Sequence, residues 1–174
     1  MSRLSAPFLA LLLALALPAG AGAAPPQLFL PDRNATGTAT VTRPITLQKM
    51  RDLDFGLVTV TTAGTAVLNP NNDAVTTTGG VLFAGGYPHS AVFDGISPLG
   101  NIVIIRLPRS PAIVTRVGGT ETMTIDDWTL DGSSRRTVPS RTAFTFKVGA
   151  TLYVGANQAE GTYTGTFDVE VQYP

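Results

Sequence analysis

The feature that most constrains this chain is the alternation in its last fourteen residues, GTYTGTFDVEVQYP, from Gly161 to Pro174. Tyr163, Gly165, Phe167, Val169, Val171 and Tyr173 fall at every second position, with Thr162, Thr164, Thr166, Asp168, Glu170 and Gln172 between them. Successive side chains of a strand point to opposite faces, so this period predicts one long β-strand with a buried face and a wet face. A helix would scatter the same apolar set around its axis. Burying a large apolar side chain stabilises by roughly 1.5 to 3 kcal/mol before entropy is charged. Such a strand is expected to be a core element that the rest of the fold is built to receive.

Composition agrees with a β-rich surface. The 174 residues include 24 threonines, and only 14% are charged, against about a quarter in an ordinary soluble domain. Threonine suits a pleated, half-exposed surface. Twelve basic and twelve acidic residues cancel and are not gathered into blocks, so no basic stripe exists to hold nucleic acid or an anionic membrane. With no cysteine there is no disulfide framework, and stability must come from packing.

The N-terminus reads as a signal peptide over residues 1–23. Arg3 supplies the positive region, Pro7 to Leu17 an apolar core, Pro18 a break, and Ala19 to Ala23 a run of small residues. Cleavage is expected after Ala23, with Ala21 and Ala24 as alternatives. The apolar core is about half of the roughly 20 residues that span a bilayer, and no later stretch is long and apolar enough for a membrane helix. Export to the periplasm, cell surface or medium is therefore expected, with no membrane span in the mature chain. What remains is enough for one domain with a real core.

Residues 24–34, with three prolines around Gln27-Leu28-Phe29-Leu30, read as an extended N-terminal arm. A single β-sandwich domain is expected over 35–174. Ala35 to Val41 alternates as a strand that Arg43-Pro44 ends; Ile45 and Leu47 restart the pattern, and Leu53 and Phe55 point inward with Asp52 and Asp54 outward. Asn69 to Asn72 is a turn. Glycine pairs at Gly79-Gly80 and Gly85-Gly86 flank a short apolar run, as turns or bulges about a strand. Further strands are expected at Ala91–Phe93, Asn101–Leu107, Ile113–Val117, Glu121–Leu130, Thr142–Val148 and Thr151–Val154, the second of these central because it is apolar on both faces. No window carries a helical stripe. About ten short strands with frequent turns predict an all-β, immunoglobulin-like sandwich, with a closed β-barrel as the alternative.

Chemistry is sparse. His89 is the single histidine, so any Ser-His-Asp device would need it, yet Tyr87-Pro88-His89-Ser90 is a turn. One histidine and no cysteine remove the usual zinc sites. Asp52 and Asp54 share a strand face, but their spacing matches no calcium loop, and they are expected to be solvated or paired with Arg51 or threonine neighbours. In Asp126-Asp127-Trp128 the indole is expected to pack inward rather than form a carbohydrate platform. Asn34-Ala35-Thr36 matches a glycosylation sequon. Strands, not helices, follow the glycine pairs, so these are no phosphate cradles. No catalytic, cofactor-binding or metal-ligating residue is expected.

The segments RDLDFG (51–56), TTTGGVLFAGG (76–86), TMTIDDWT (122–129) and VGATLYVGANQAEGTYTGTFDVEVQY (148–173) resemble the secreted bacterial family catalogued as domain of unknown function 4402, from about Thr36 to the end. The C-terminus also resembles subunits of chaperone-usher pili and the spore-coat-protein-U-like secreted proteins, which end in an alternating strand with a penultimate aromatic and a glycine fourteen places from the end. Tyr173 and Gly161 stand at those places. This second resemblance implies a sandwich lacking its last strand, completed first by a periplasmic chaperone at an usher and then by the arm of the next subunit. The terminal strand residues Gly161, Tyr163, Gly165, Phe167, Val169, Val171 and Tyr173 would then border the assembly groove. The chain departs from many pilins in having no disulfide and a short, proline-broken arm. The expectation is a secreted, non-enzymatic structural subunit whose partners are copies of itself or relatives. The alternative is a soluble extracellular module binding carbohydrate or protein, with Trp128, Tyr87 or Tyr153 as stacking surfaces. An exported carboxylate hydrolase is a third reading.

Overall fold

Threonine alternating with apolar residues favours strands over helices, and among the described residues only strands form. The computed structural model describes residues 44–98, 100–138 and 143–174. The expected signal peptide, the arm, the sequon and the Ala35–Val41 strand lie outside the described residues.

Among the described residues eleven strands follow in order: β1 (Thr46–Arg51), β2 (Leu57–Leu68), β3 (Val75–Gly85), β4 (Ala91–Ile96), β5 (Ile102–Arg106), β6 (Ala112–Arg116), β7 (Thr122–Leu130), β8 (Arg135–Thr137), β9 (Ala143–Val154), β10 (Tyr163–Thr164) and β11 (Glu170–Gln172). They build an all-β fold of two sheets. Eight strands make the larger, in the order β1-β4-β9-β7-β6-β10, with β2 against β9 and β3 against β2; the smaller is β11-β5-β8.

β9 carries the architecture. Along one edge its first half pairs with β4 and its second with β2, while the other edge pairs with β7. Its even-numbered residues Phe144, Phe146, Val148, Ala150, Leu152 and Val154 share one face and are all buried. The first three join Phe93, Val103, Ile105 and Val138 in a core between the two sheets. The last three join Phe55, Leu68, Val81, Val114 and Ile125 in a second core within the larger sheet, which curls over it. Leu53 and Trp128 touch both cores.

Several expectations change in the fold. Gly149 does not separate two strands but lies inside β9, where an added Cβ would stand 2.3 Å from the Leu68 carbonyl oxygen, so its role is close approach of β2's end. Of the two readings given to Gly79-Gly80, turn or bulge, the structure takes the bulge: the pair falls within β3, beside a register shift in its pairing with β2. β2 and the short polar β8 have no counterpart in the alternation read above. Asn101–Leu107 is central as expected, with β5 flanked by β11 and β8. The terminal strand expected from Gly161 to Pro174 is not continuous: only β10 and β11 form, and they belong to different sheets.

Candidate functional site

After β9 the chain turns through Asn157 (φ 58°) and Gly161 (φ 146°). This turn is tied down by side chains. The Gln158 amide donates to the Tyr163 hydroxyl at 2.7 Å, and that hydroxyl donates to the Ala159 carbonyl at 2.7 Å. Arg116 forms a two-point ion pair with Glu121, Nε to Oε2 at 2.7 Å and Nη2 to Oε1 at 2.9 Å. The guanidinium holds the Glu121 carboxyl down at about 2. The arginine stem crosses Gly161 so closely that an added Cβ would lie 2.9 Å from Arg116 Cδ. Glycine is required there for both space and backbone angle.

Tyr163 pairs with Arg116 and Thr164 with Thr115, and farther on Glu170, Val171 and Gln172 pair with Arg106, Ile105 and Ile104. Between these ladders residues 165–169 face residues 107–114, three more on one side than on the other. Pro108 and Pro111 lie in the longer side and have no N–H to offer. The mismatch is why one alternating sequence becomes two short strands joined by an extended link. Gly165 opens the link at a point where an added Cβ would meet the Ile113 carbonyl oxygen at 2.3 Å.

The two faces of the segment nonetheless sort as the alternation requires. Thr162, Thr164, Thr166, Asp168 and Glu170 are exposed, whereas Tyr163, Phe167, Val169, Val171 and Tyr173 are half-buried; Gln172 departs in being half-buried too. Gly161 and Gly165 are exposed. None of the five large side chains is fully covered. Phe167 packs its ring 4.6 Å from that of Trp128 and 6.4 Å, edge-on, from that of Phe93. Val169, Val171 and Tyr173 lie against the core between the sheets, and the Tyr173 hydroxyl is 3.1 Å from the buried Ser97 hydroxyl.

Beside this segment lies a groove of about 610 Å³. One rim is residues 52–58, the other is 161–167, and the floor is the inner faces of β6, β7 and β9 through Val114, Met123, Ile125 and Leu152. The rims are partly paired: Leu57 and Val58 pair with β3, and Tyr163 and Thr164 with β6, while residues 165–167 lie in no ladder. In 52–56 only Asp54 is bridged, to His89, with N···O distances of 2.9 and 2.8 Å. Among the described residues β10 pairs only with β6, and β11 only with β5. An apolar floor beside main chain that is paired only in part is an arrangement that can accept an extended peptide.

The other candidates are structural. His89 sits in its bridge with Nδ1 3.0 Å from the Asp52 carbonyl oxygen. Asp52 pairs with Lys49, and Asp54 accepts the Gly56 N–H at 2.7 Å, so neither uses Arg51. Arg51 pairs instead with Asp73 at 3.0 Å. Burial raises the Asp73 carboxyl, but hydrogen bonds from Ser90 and Arg51 outweigh it and leave the group below its ordinary range. Trp128 points inward as expected. Tyr87 is 92% and Tyr153 41% exposed, the latter bonded through its hydroxyl to Asp127. The inward aspect of Leu53 and Phe55 was legible in the sequence; their place on a groove rim was not.

A family model described as Domain of unknown function (DUF4402) matches residues 45–173. No curated protein and no solved structure matches the chain.

Proposed function

The chain belongs to this DUF4402 family, whose description carries no activity, and we propose that it is an exported, non-enzymatic structural subunit that assembles by strand addition. The observation that carries the reading is the groove between residues 52–58 and 161–167, with an apolar floor and rims whose main chain is paired only in part. An added strand gains main-chain hydrogen bonds along the rims and buries alternate side chains on the floor. The pilin-like resemblance of the terminal segment supplies the same direction, with copies of the chain as partners and a chaperone and usher as the route of delivery. The carbohydrate-module reading is weakened because Trp128 packs against Phe167, which leaves Tyr87 and Tyr153 without the third ring.

The test is the state of the purified mature chain on an unboiled gel and in sedimentation. A ladder of non-covalent oligomers is expected. A monomer at every concentration, with the groove closed to an added peptide, refutes the assembly reading. N-terminal sequencing of the exported protein should begin between Gly22 and Pro25, and recovery of Met1 to Ala21 on it refutes export by cleavage.

A further inference from the structure

A sheet that ends in a bare strand offers a row of N–H and C=O groups to any other strand, and proteins blunt such edges with charge, proline or brevity. Among the described residues, four of the strands that end a sheet are blunted in this way. β1 carries Lys49 and Arg51, β8 carries Arg135 and Arg136, β10 has two residues, and β11 has three with Glu170 among them. β3 is not. It runs eleven residues from Val75 to Gly85 without a charge or a proline, and among the described residues it pairs only with β2.

The side chains at this edge are bare as well. Val81 turns inward and is buried, whereas its neighbour Leu82 is 60% exposed. Thr59 is the ladder partner of Leu82, so Leu57, two places before Thr59 and equally exposed, shares that outer face. Phe83 and Tyr87, the latter just past the strand, are exposed too. Together the four leave on the order of 500 Å² of side chain uncovered, within the range of the largest patches on ordinary monomers, which are often functional. With the main chain of the edge added, this approaches the roughly 600 Å² per partner at the low end of stable interfaces.

We propose that β3 pairs antiparallel with β3 of a second copy, across a two-fold axis at Leu82. The backbone sets this register. Gly79 (φ 66°) and Gly85 (φ 127°) leave extended geometry, so the run open to a straight partner is Gly80 to Ala84. Pairing that run with itself puts Leu82 opposite Leu82, Val81 opposite Phe83 and Gly80 opposite Ala84. Moving the axis by one residue brings a positive-φ glycine into the ladder. The occupant is a second copy because the strand suits itself: with no charge in β3, self-pairing sets no like charges opposite each other, and the two-fold matches apolar to apolar on both faces. Such a contact uses the same patch on both chains and closes at two. It ties two chains side by side and does not rest on strand addition at the groove.

The chain has no cysteine, so a single one introduced on the axis reports the axis without background. Opposed residues of an antiparallel pair stand about 4.5 or 5.5 Å apart at Cα, both within the span of a disulfide. Full-length chains carrying Leu82→Cys, or Thr76→Cys as an exposed control on the same strand, are exported, mildly oxidised at micromolar concentration and run without reductant. In the proposed register the two copies of residue 76 lie about 40 Å apart. Thiols held together react at an effective concentration far above that of free chains, so Leu82→Cys is expected to form linked dimer about tenfold faster than Thr76→Cys. Equal rates, or a faster control, overturn the pairing. Leu82→Lys sets two ammonium groups across the axis and should halve the sedimenting mass of the wild-type particle while leaving the thermal unfolding midpoint in place. An unchanged mass overturns the second copy as occupant, whether or not the groove assembles chains. Binding to neutral phosphatidylcholine vesicles that Leu82→Lys abolishes, with no cross-link from Leu82→Cys, assigns the patch to a lipid surface and likewise overturns it.

Discussion

Phe167→Ala tests whether the terminal segment is part of the core or a loosely laid cover. Phe167 is half-buried, so the roughly 3 to 5 kcal/mol seen for fully buried phenylalanines is an upper bound. Half of the transfer free energy of the ring gives about 1 to 1.5 kcal/mol. The tilted contact with Trp128 and the edge contact with Phe93 add about 0.5 to 1.5 kcal/mol each. The expected loss is therefore about 2 to 4.5 kcal/mol, a large share of a typical domain's 5 to 15. Thr166→Ala, one residue away on the exposed face, should stay within about 0.5 kcal/mol. Urea unfolding followed by far-ultraviolet circular dichroism measures both, with the slope checked for constancy so that the midpoint shift is a stability change. Equal, small losses at the two positions would show that the alternation has no energetic consequence, and the role given to the segment would fall.

Gly161→Ala should destabilise by about 1 to 2 kcal/mol, since it adds a Cβ against the Arg116 stem at an unfavourable backbone angle. Gly155→Ala, whose added Cβ would meet its nearest neighbour only at 3.4 Å, should be near neutral, and thermal unfolding compares the two. Glu121 titrates near 4.5 unfolded and about 2 folded, so its pairing with Arg116 contributes fully above the unfolded value and is lost as pH falls through about 2. Glu121→Gln should flatten that part of the acid limb in urea midpoints, and an unchanged limb would deny the pair any role. For assembly, Val171→Asp turns a charge toward the core between the sheets and should abolish the oligomer ladder, whereas Gln172→Ala should keep it; equal tolerance would count against the groove.

How far the sequence could be read depended on whether the deciding fact was local. Inward and outward faces in residues 161–174 follow from a period of two, and the structure keeps them. The break between β10 and β11 does not, because it is set by the three extra residues on the β5–β6 side, a comparison between segments far apart in sequence. Gly149 reads locally as punctuation, yet its reason is the Leu68 carbonyl approaching from β2. β2 itself was missed because Thr61, Thr62, Ala63 and Gly64 interrupt its alternation at the register shift with β3. β8, Arg135–Thr137, has no apolar residue to announce it. The floor of the groove requires the curl of the large sheet, which no single stretch encodes.

The contact between Phe167 and Trp128 has an optical consequence. Trp128 is the chain's one tryptophan, and its indole touches both cores as well as the terminal segment. Emission from this single ring therefore reports one place. The segment is held by only five ladder pairs, while β9 is paired along both edges, so local opening should begin at the segment and reach β9 last. Lifting Phe167 away admits water to the indole and shifts its emission to the red while the strands still give their full dichroism. Occupation of the neighbouring groove should shift it the other way, so that colour alone distinguishes a peeled chain from a filled one.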